Sequence, residues 1–152
     1  MIRPFVCFAA ALALAPTAGQ TQAPMQQRAA EAFMTAIQTQ DHKTALLMLD
    51  AKVLIQFPQA PGATAQGQGQ GQPFVIGYLD GLFGADHELR VDSDIPRGDI
   101  IRFLAHDLRS KDPYVIDVVV RGSQVVLVNI TQPPSPSDRS QAAAAKTAAD
   151  GG

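Results

Sequence analysis

The stretch YVIDVVVRGSQVVLVNI, Tyr114 to Ile130, restricts what this chain can fold into more than any other part of it. Two runs rich in Val and Ile flank Gly122-Ser123, a two-residue hairpin signal. The spacing predicts antiparallel strands over Tyr114–Arg121 and Val125–Thr131. Upstream, HELRVDSDI alternates, with Leu89, Val91, Ser93 and Ile95 on one side and Glu88, Arg90, Asp92 and Asp94 on the other. That is the pattern of a half-buried strand. PRGD turns the chain into another strand from Ile100 to Arg109, and SKDP turns it back to Tyr114. The second half is therefore expected to be a four-stranded antiparallel meander.

The first half has a different period. Ala29, Phe33, Ala36 and Ile37 share one face of a helix expected over Pro24–Gln40. Asp41 suits the N-cap of a short second helix carrying Ala45, Leu46 and Leu49. VLIQF, Val53 to Phe57, reads as a strand stopped by Pro58. Residues 58–72, with the run AQGQGQGQ, show no apolar periodicity and are expected to form a flexible Gln/Gly-rich loop. Pro73 then opens a third helix presenting Phe74, Tyr78, Leu82 and Phe83. Helices first and strands later indicate an α+β fold, with N-terminal helices packed on a curved, mostly antiparallel sheet.

Both ends stand apart from this domain. Arg3 followed by an apolar run from Phe5 to Leu14 and the small residues to Gly19 reads as a signal peptide over 1–19. The run is shorter than the roughly 20 residues a spanning helix needs. Export to the periplasm or outside the cell follows, with no membrane segment after cleavage. Cys7 is the single cysteine, so the domain at 20–131 is expected to rely on its core alone. Residues 132–152 are Pro, Ser and Ala without a long apolar side chain, and are expected to be disordered. The net charge of −2 and the lack of tryptophan or a basic cluster argue against nucleic acid as a partner. No His/Asp grouping has metal-ligand spacing, Asp86-His87 with Asp92 and Asp94 included, so neither metal nor cofactor is expected.

The order of elements resembles the nuclear transport factor 2-like superfamily, in its SnoaL-like and ketosteroid-isomerase-like branch. The residues that carry the likeness are AFMTAIQTQDHKTALLMLDAKVLIQFP, the GYLDGLF helix and IDVVVRGSQVV. The resemblance implies a cone with an apolar cavity at its wide end. It also implies catalytic positions. The tyrosine of the isomerases falls on Phe33 and their proton-shuttling aspartate on Phe57; only the late-strand acid keeps its chemistry, as Asp117. Phe33 and Phe57 cannot transfer a proton, which leans against an enzyme of that type. The polyketide cyclases imply instead an acid/base pair of Asp117 with His106.

Asp117, set among valines and isoleucine, has three readings. It lines an apolar cavity as a proton donor or ligand anchor. It forms a structural ion pair with Arg102 or Arg121. Or it lies on an outer face where Val115 and Val119 meet a second copy in a homodimer. The leading expectation is a module binding a small apolar ligand among Phe33, Ile37, Phe57, Phe74, Tyr78 and Arg102, with Asp117 as polar anchor.

Overall fold

The computed structural model describes residues 18–59, 65–85 and 88–133, with side chains from Pro24 onward except at Ala85. The expected leader and tail lie outside these residues, apart from Ala18-Gly19 and Gln132-Pro133. No helix among the described residues is long and apolar enough to cross a membrane.

Helix α1 runs Ala18–Gln38 and contains Pro24, so it begins six residues before the expected start. Ala30, Phe33, Met34 and Ile37 recur at helical spacing and are all buried. The helix ends with Gln40 at φ 57°, where Asp41 N–H donates to Ala36 O at 2.8 Å, a left-handed stop that satisfies a terminal carbonyl. Asp41 then caps α2, His42–Met48, by accepting from Thr44 N–H at 3.2 Å. The hydrogen bonds from Thr44 hold the Asp41 carboxyl below its ordinary range.

Six strands follow: β1 Leu49–Pro58, β2 Gln66–Gln70, β3 Leu89–Arg97, β4 Ile100–Asp107, β5 Pro113–Arg121 and β6 Gln124–Thr131. Helix α3, Gln72–Asp80, with Pro73 in its first turn, continues into a π-helical turn at Gly81–Ala85. The sheet order is β2-β1-β6-β5-β4-β3. β3 to β6 form the expected meander, and β1 joins it by pairing parallel to β6. Gly122, at φ 63°, makes the β5–β6 turn in a conformation that glycine enters without steric cost. The result is an α+β fold in which the helices cover one face of an open mixed sheet.

Burial assigns the faces. Ile101, Phe103 and Ala105 on β4, and Tyr114, Ile116, Val118 and Val120 on β5, are buried on the inner face. Val53, Ile55, Val125, Val128 and Ile130 extend that face across the seam, and the α1 stripe packs against it. Phe33 is wholly enclosed, so truncating it to Ala would cost about 3–5 kcal/mol.

Two expectations need correction. The 58–72 segment is not one loop, because Gln66–Gln70 is a strand, paired antiparallel with β1 from Leu54↔Gln70 to Pro58↔Gln66. Along β3 the expected alternation breaks. Leu89 is buried, but Ser93 and Ile95 are exposed, because the register with β4 shifts between Val91 and Ser93. One extra residue, Asp92, moves every later side chain to the opposite face.

Candidate functional site

The outer face holds three of the residues expected to be functional. Arg102 and Asp117 are cross-strand partners, and their side chains meet in a fork, Nε to Oδ1 at 2.7 Å and Nη2 to Oδ2 at 2.8 Å. This bidentate geometry satisfies both charges, and the bond to Asp117 pushes the Arg102 guanidinium pKa up. His106 Nδ1 lies 2.7 Å from Asp92 Oδ2 at the bulge. His106 is opposite Pro113 in the register and Arg102 is opposite Asp117, four residues along. That separates His106 from Asp117 by roughly 13 Å, beyond the reach of one bridging water. The structure therefore does not bring the expected acid/base pair together, and neither member points toward the helices. The reason is alternation: β5 turns Tyr114, Ile116 and Val118 inward, which sends Asp117 outward.

The expected ligand pocket divides in the same way. Phe33 and Ile37 are fully buried in the core and offer no surface. Arg102 is on the other face. Phe57, Phe74 and Tyr78 do assemble. The Phe57 ring stacks on Tyr78 with centroids 4.5 Å apart and 27° between planes, and on Phe74 at 6.1 Å and 26°. Phe74 ends the row, 46% exposed. The expected buried face of α3 is shifted: Val75, Ile76 and Leu79 go to the core, which leaves Phe74 and Tyr78 along its flank.

The Gln/Gly strand makes this row possible. A Cβ on Gly69 would lie 2.1 Å from Phe74 Cε1, and one on Gly67 would lie 2.5 Å from Phe57 Cε2. The rings thus lie flat against bare backbone, covering glycines that would otherwise weaken an edge strand. Gln66–Gln70 carries no long apolar residue, so no hydrophobic signal marks it as a strand. Its signal is the period-2 placement of glycine.

Polar groups gather beside the row. Tyr114, 5% exposed, projects inward from the start of β5, and Asp107, 2% exposed, from the end of β4. Burial, followed by the charges of Asp107 and Asp112 and then the nearby Tyr78, pushes the Tyr114 hydroxyl up to about 12. Burial also raises the pKa of Tyr78. Asp107 Oδ1 accepts from the backbone N–H groups of Arg109 at 2.7 Å and Ser110 at 3.2 Å, which pins the β4–β5 turn. Sequence reasoning missed Asp107 and Tyr114. Their signal is phase: Asp107 is in step with Phe103 and Ala105, and Tyr114 with Ile116 and Val118. Among the described residues no group of three His, Cys, Asp or Glu is placed to hold a metal ion. Asp86 and His87 lie outside the described residues; Asp92 is engaged by His106, and Asp94 accepts from Gln27 Nε2 at 3.0 Å.

No protein-family model matches the sequence, and no curated protein matches it. The structure, in contrast, matches solved ones in fold. A candidate ketosteroid isomerase from Kribbella flavida superposes with a TM-score of 0.61, covering 75% of this chain and 82% of its own at 14% identity. A SnoaL-like protein of unknown function from Burkholderia thailandensis gives 0.55, covering 72% and 94% at 13% identity. An LEH-like epoxide hydrolase from M. tuberculosis gives 0.54, covering 79% and 90% at 15% identity. The fold is the nuclear transport factor 2-like cone. Identities this low carry the fold and nothing finer. Phe57, Tyr78 and Tyr114 lie on the helix-covered side of the sheet, and Asp117 lies on the other.

Proposed function

We propose that this protein is a small-molecule binding module that takes a ligand with a flat apolar body and a hydrogen-bonding end. The body stacks on the Phe74–Phe57–Tyr78 row and the polar end meets the tyrosine hydroxyls. The observation that carries this reading is the row itself, three stacked rings, two of them against glycine backbone, with Phe74 exposed at one end. Small-molecule sites are mostly apolar with a few convergent polar groups. Solved structures of the same fold named as an isomerase and a hydrolase support a small-molecule role by analogy alone. Export is inferred from Met1–Gly19 and rests on that segment only.

The test is a titration with 2-naphthol and naphthalene followed by side-chain NMR of the aromatic rings. Saturable shifts at Phe57 and Tyr78 are expected, stronger for the naphthol. Phe57→Leu should weaken binding about tenfold, the equivalent of about 1.4 kcal/mol. Equal affinity in wild type and variant, or no saturation, would sink the reading.

A second reading concerns the outer face. Asn129, paired in register with Asp117, has its Oδ1 buried without a hydrogen-bond partner among the described residues. Around it stand Leu54, Leu104, Val115, Val119 and Leu127, all half-buried, with Ile95 and Ile100 more open. A second copy seated there would bury these aliphatic groups, as a homodimer does. Leu104→Asp would then lower the sedimentation mass; an unchanged mass would count against this face.

A further inference from the structure

The open sheet has two edges, and they differ in how they are defended. β3 carries Arg90, Asp92, Asp94 and Arg97, together with Pro96 and the irregularity after Val91. Charge, proline and bulge are the features that prevent another strand from adding to an edge. β2, at the other end, has none of them. Its residues are Gln-Gly-Gln-Gly-Gln, and its register with β1 is unbroken.

The direction of its free backbone groups is fixed by hydrogen bonds at both ends. Gly71 N–H donates to Val53 O at 2.9 Å, and Ala65 O accepts from Gln59 N–H at 3.1 Å. The odd-numbered residues therefore turn their backbone polar groups toward β1. In an antiparallel ladder the intervening residues turn theirs away. Gln66, Gln68 and Gln70 thus present their N–H and C=O groups to the open edge, with side chains on the outer face and glycine on the inner one.

We propose that β2 pairs antiparallel with β2 of a second copy of this chain, centred on Gln68. The segment reads the same in both directions, so this pairing sets Gln68 against Gln68, and Gln66 against Gln70 of the second copy. Each of these is a hydrogen-bonded pair, with Cα atoms about 5.5 Å apart. The glutamine side chains meet on one face, where each carboxamide both donates and accepts. The glycines meet in the intervening positions, where Cα atoms approach to about 4.5 Å and small residues fit. Phe57 and Phe74 cover their inner face. Because the opposite edge is defended, addition stops at two copies and the contact closes on a two-fold axis. Neither ligand binding nor the aliphatic outer face takes part in this contact.

The test uses the purified protein at two concentrations, with sedimentation and amide hydrogen exchange read together. When dilute, the amides of Gln66, Gln68 and Gln70 should exchange freely while those of Gly67 and Gly69 are protected by β1. When concentrated, the three glutamine amides should gain tenfold or more in protection as the mass doubles. Gln68→Pro removes an N–H that only a partner strand would use, so it should halve the assembled mass. If that variant folds poorly, Gln68→Lys sets two like charges face to face and should halve the mass as well. Leu104→Asp changes only the outer face and leaves the edge pairing in place. Glutamine amides whose exchange does not depend on concentration, or a mass unmoved by both edge variants, would overturn the proposal. Protection gained only when an unrelated extended peptide is added would overturn it too.

Discussion

Tyr78 and Tyr114 are the only two tyrosines in the chain, so tyrosinate absorbance near 295 nm reports on the proposed site and nothing else. Both pKa values are raised, that of Tyr114 to about 12, with burial the largest cause for each. A raised pKa means that folding favours the protonated hydroxyl. The stability this contributes is complete below about pH 10, the unfolded value, and is lost as pH rises through the folded one. The folded protein should therefore show less ionisation at pH 10.5 than the same chain in guanidinium, and should lose stability between about pH 10 and 12. Identical titration curves in the two states would mean that the tyrosines are open to solvent. Asp117 shows the limit of reading residues singly. Its neighbours in sequence are apolar, yet they point to the opposite face. The side chain beside it in space is Arg102, fifteen residues earlier in the chain. Linear context marked the residue as unusual and could not say which face it joined, because Val115 and Val119 make the outer face of β5 nearly as apolar as the inner one.

Among elements, those with a cap, a turn residue or a clean period were legible. Asp41 at the head of α2, Gly122 between β5 and β6, and the α1 stripe each have a local physical cause. Two elements were hidden because their cause is tertiary. The phase of β3 changes at a bulge that only pairing with β4 creates. The strand at Gln66–Gln70 exists because Phe57 and Phe74 supply the apolar cover that its own side chains lack. That dependence can be tested. Gly69→Ala would force the Phe74 ring off the strand and should cost about 1–3 kcal/mol in denaturant unfolding, as overpacking does. In a Phe74→Ala background the same change should cost far less, since the atom it strikes is gone. Equal costs in both backgrounds would show that the ring does not rest on Gly69.

At the scale of the whole molecule, the meander was readable because its strands are neighbours in sequence. The seam was not, because β1 pairs parallel with β6 from more than seventy residues away, Leu54 opposite Leu127. No local pattern announces such a pairing, and its loop closure must be met before the contacts form. The seam also sets where stability resides. β5 and β6 lie in the middle of the sheet order, and Ile116, Val118, Val128 and Ile130 are fully buried there. Helix α2 has seven residues, too few to persist alone, and β2 hangs on a single neighbour. Native-state hydrogen exchange in dilute protein should therefore be slowest through β5 and β6, opening only with global unfolding, and fastest in α2 and β2. If β1 exchanges with β6 rather than with β2, the two halves of the chain unfold as one unit with the seam as its centre. If β1 opens with β2 well before the meander, the antiparallel strands hold together without it, and the aromatic row dissolves before the core does. The second result would also weaken ligand binding under mild denaturant while Tyr114 stayed buried, a separation visible in the same tyrosine absorbance.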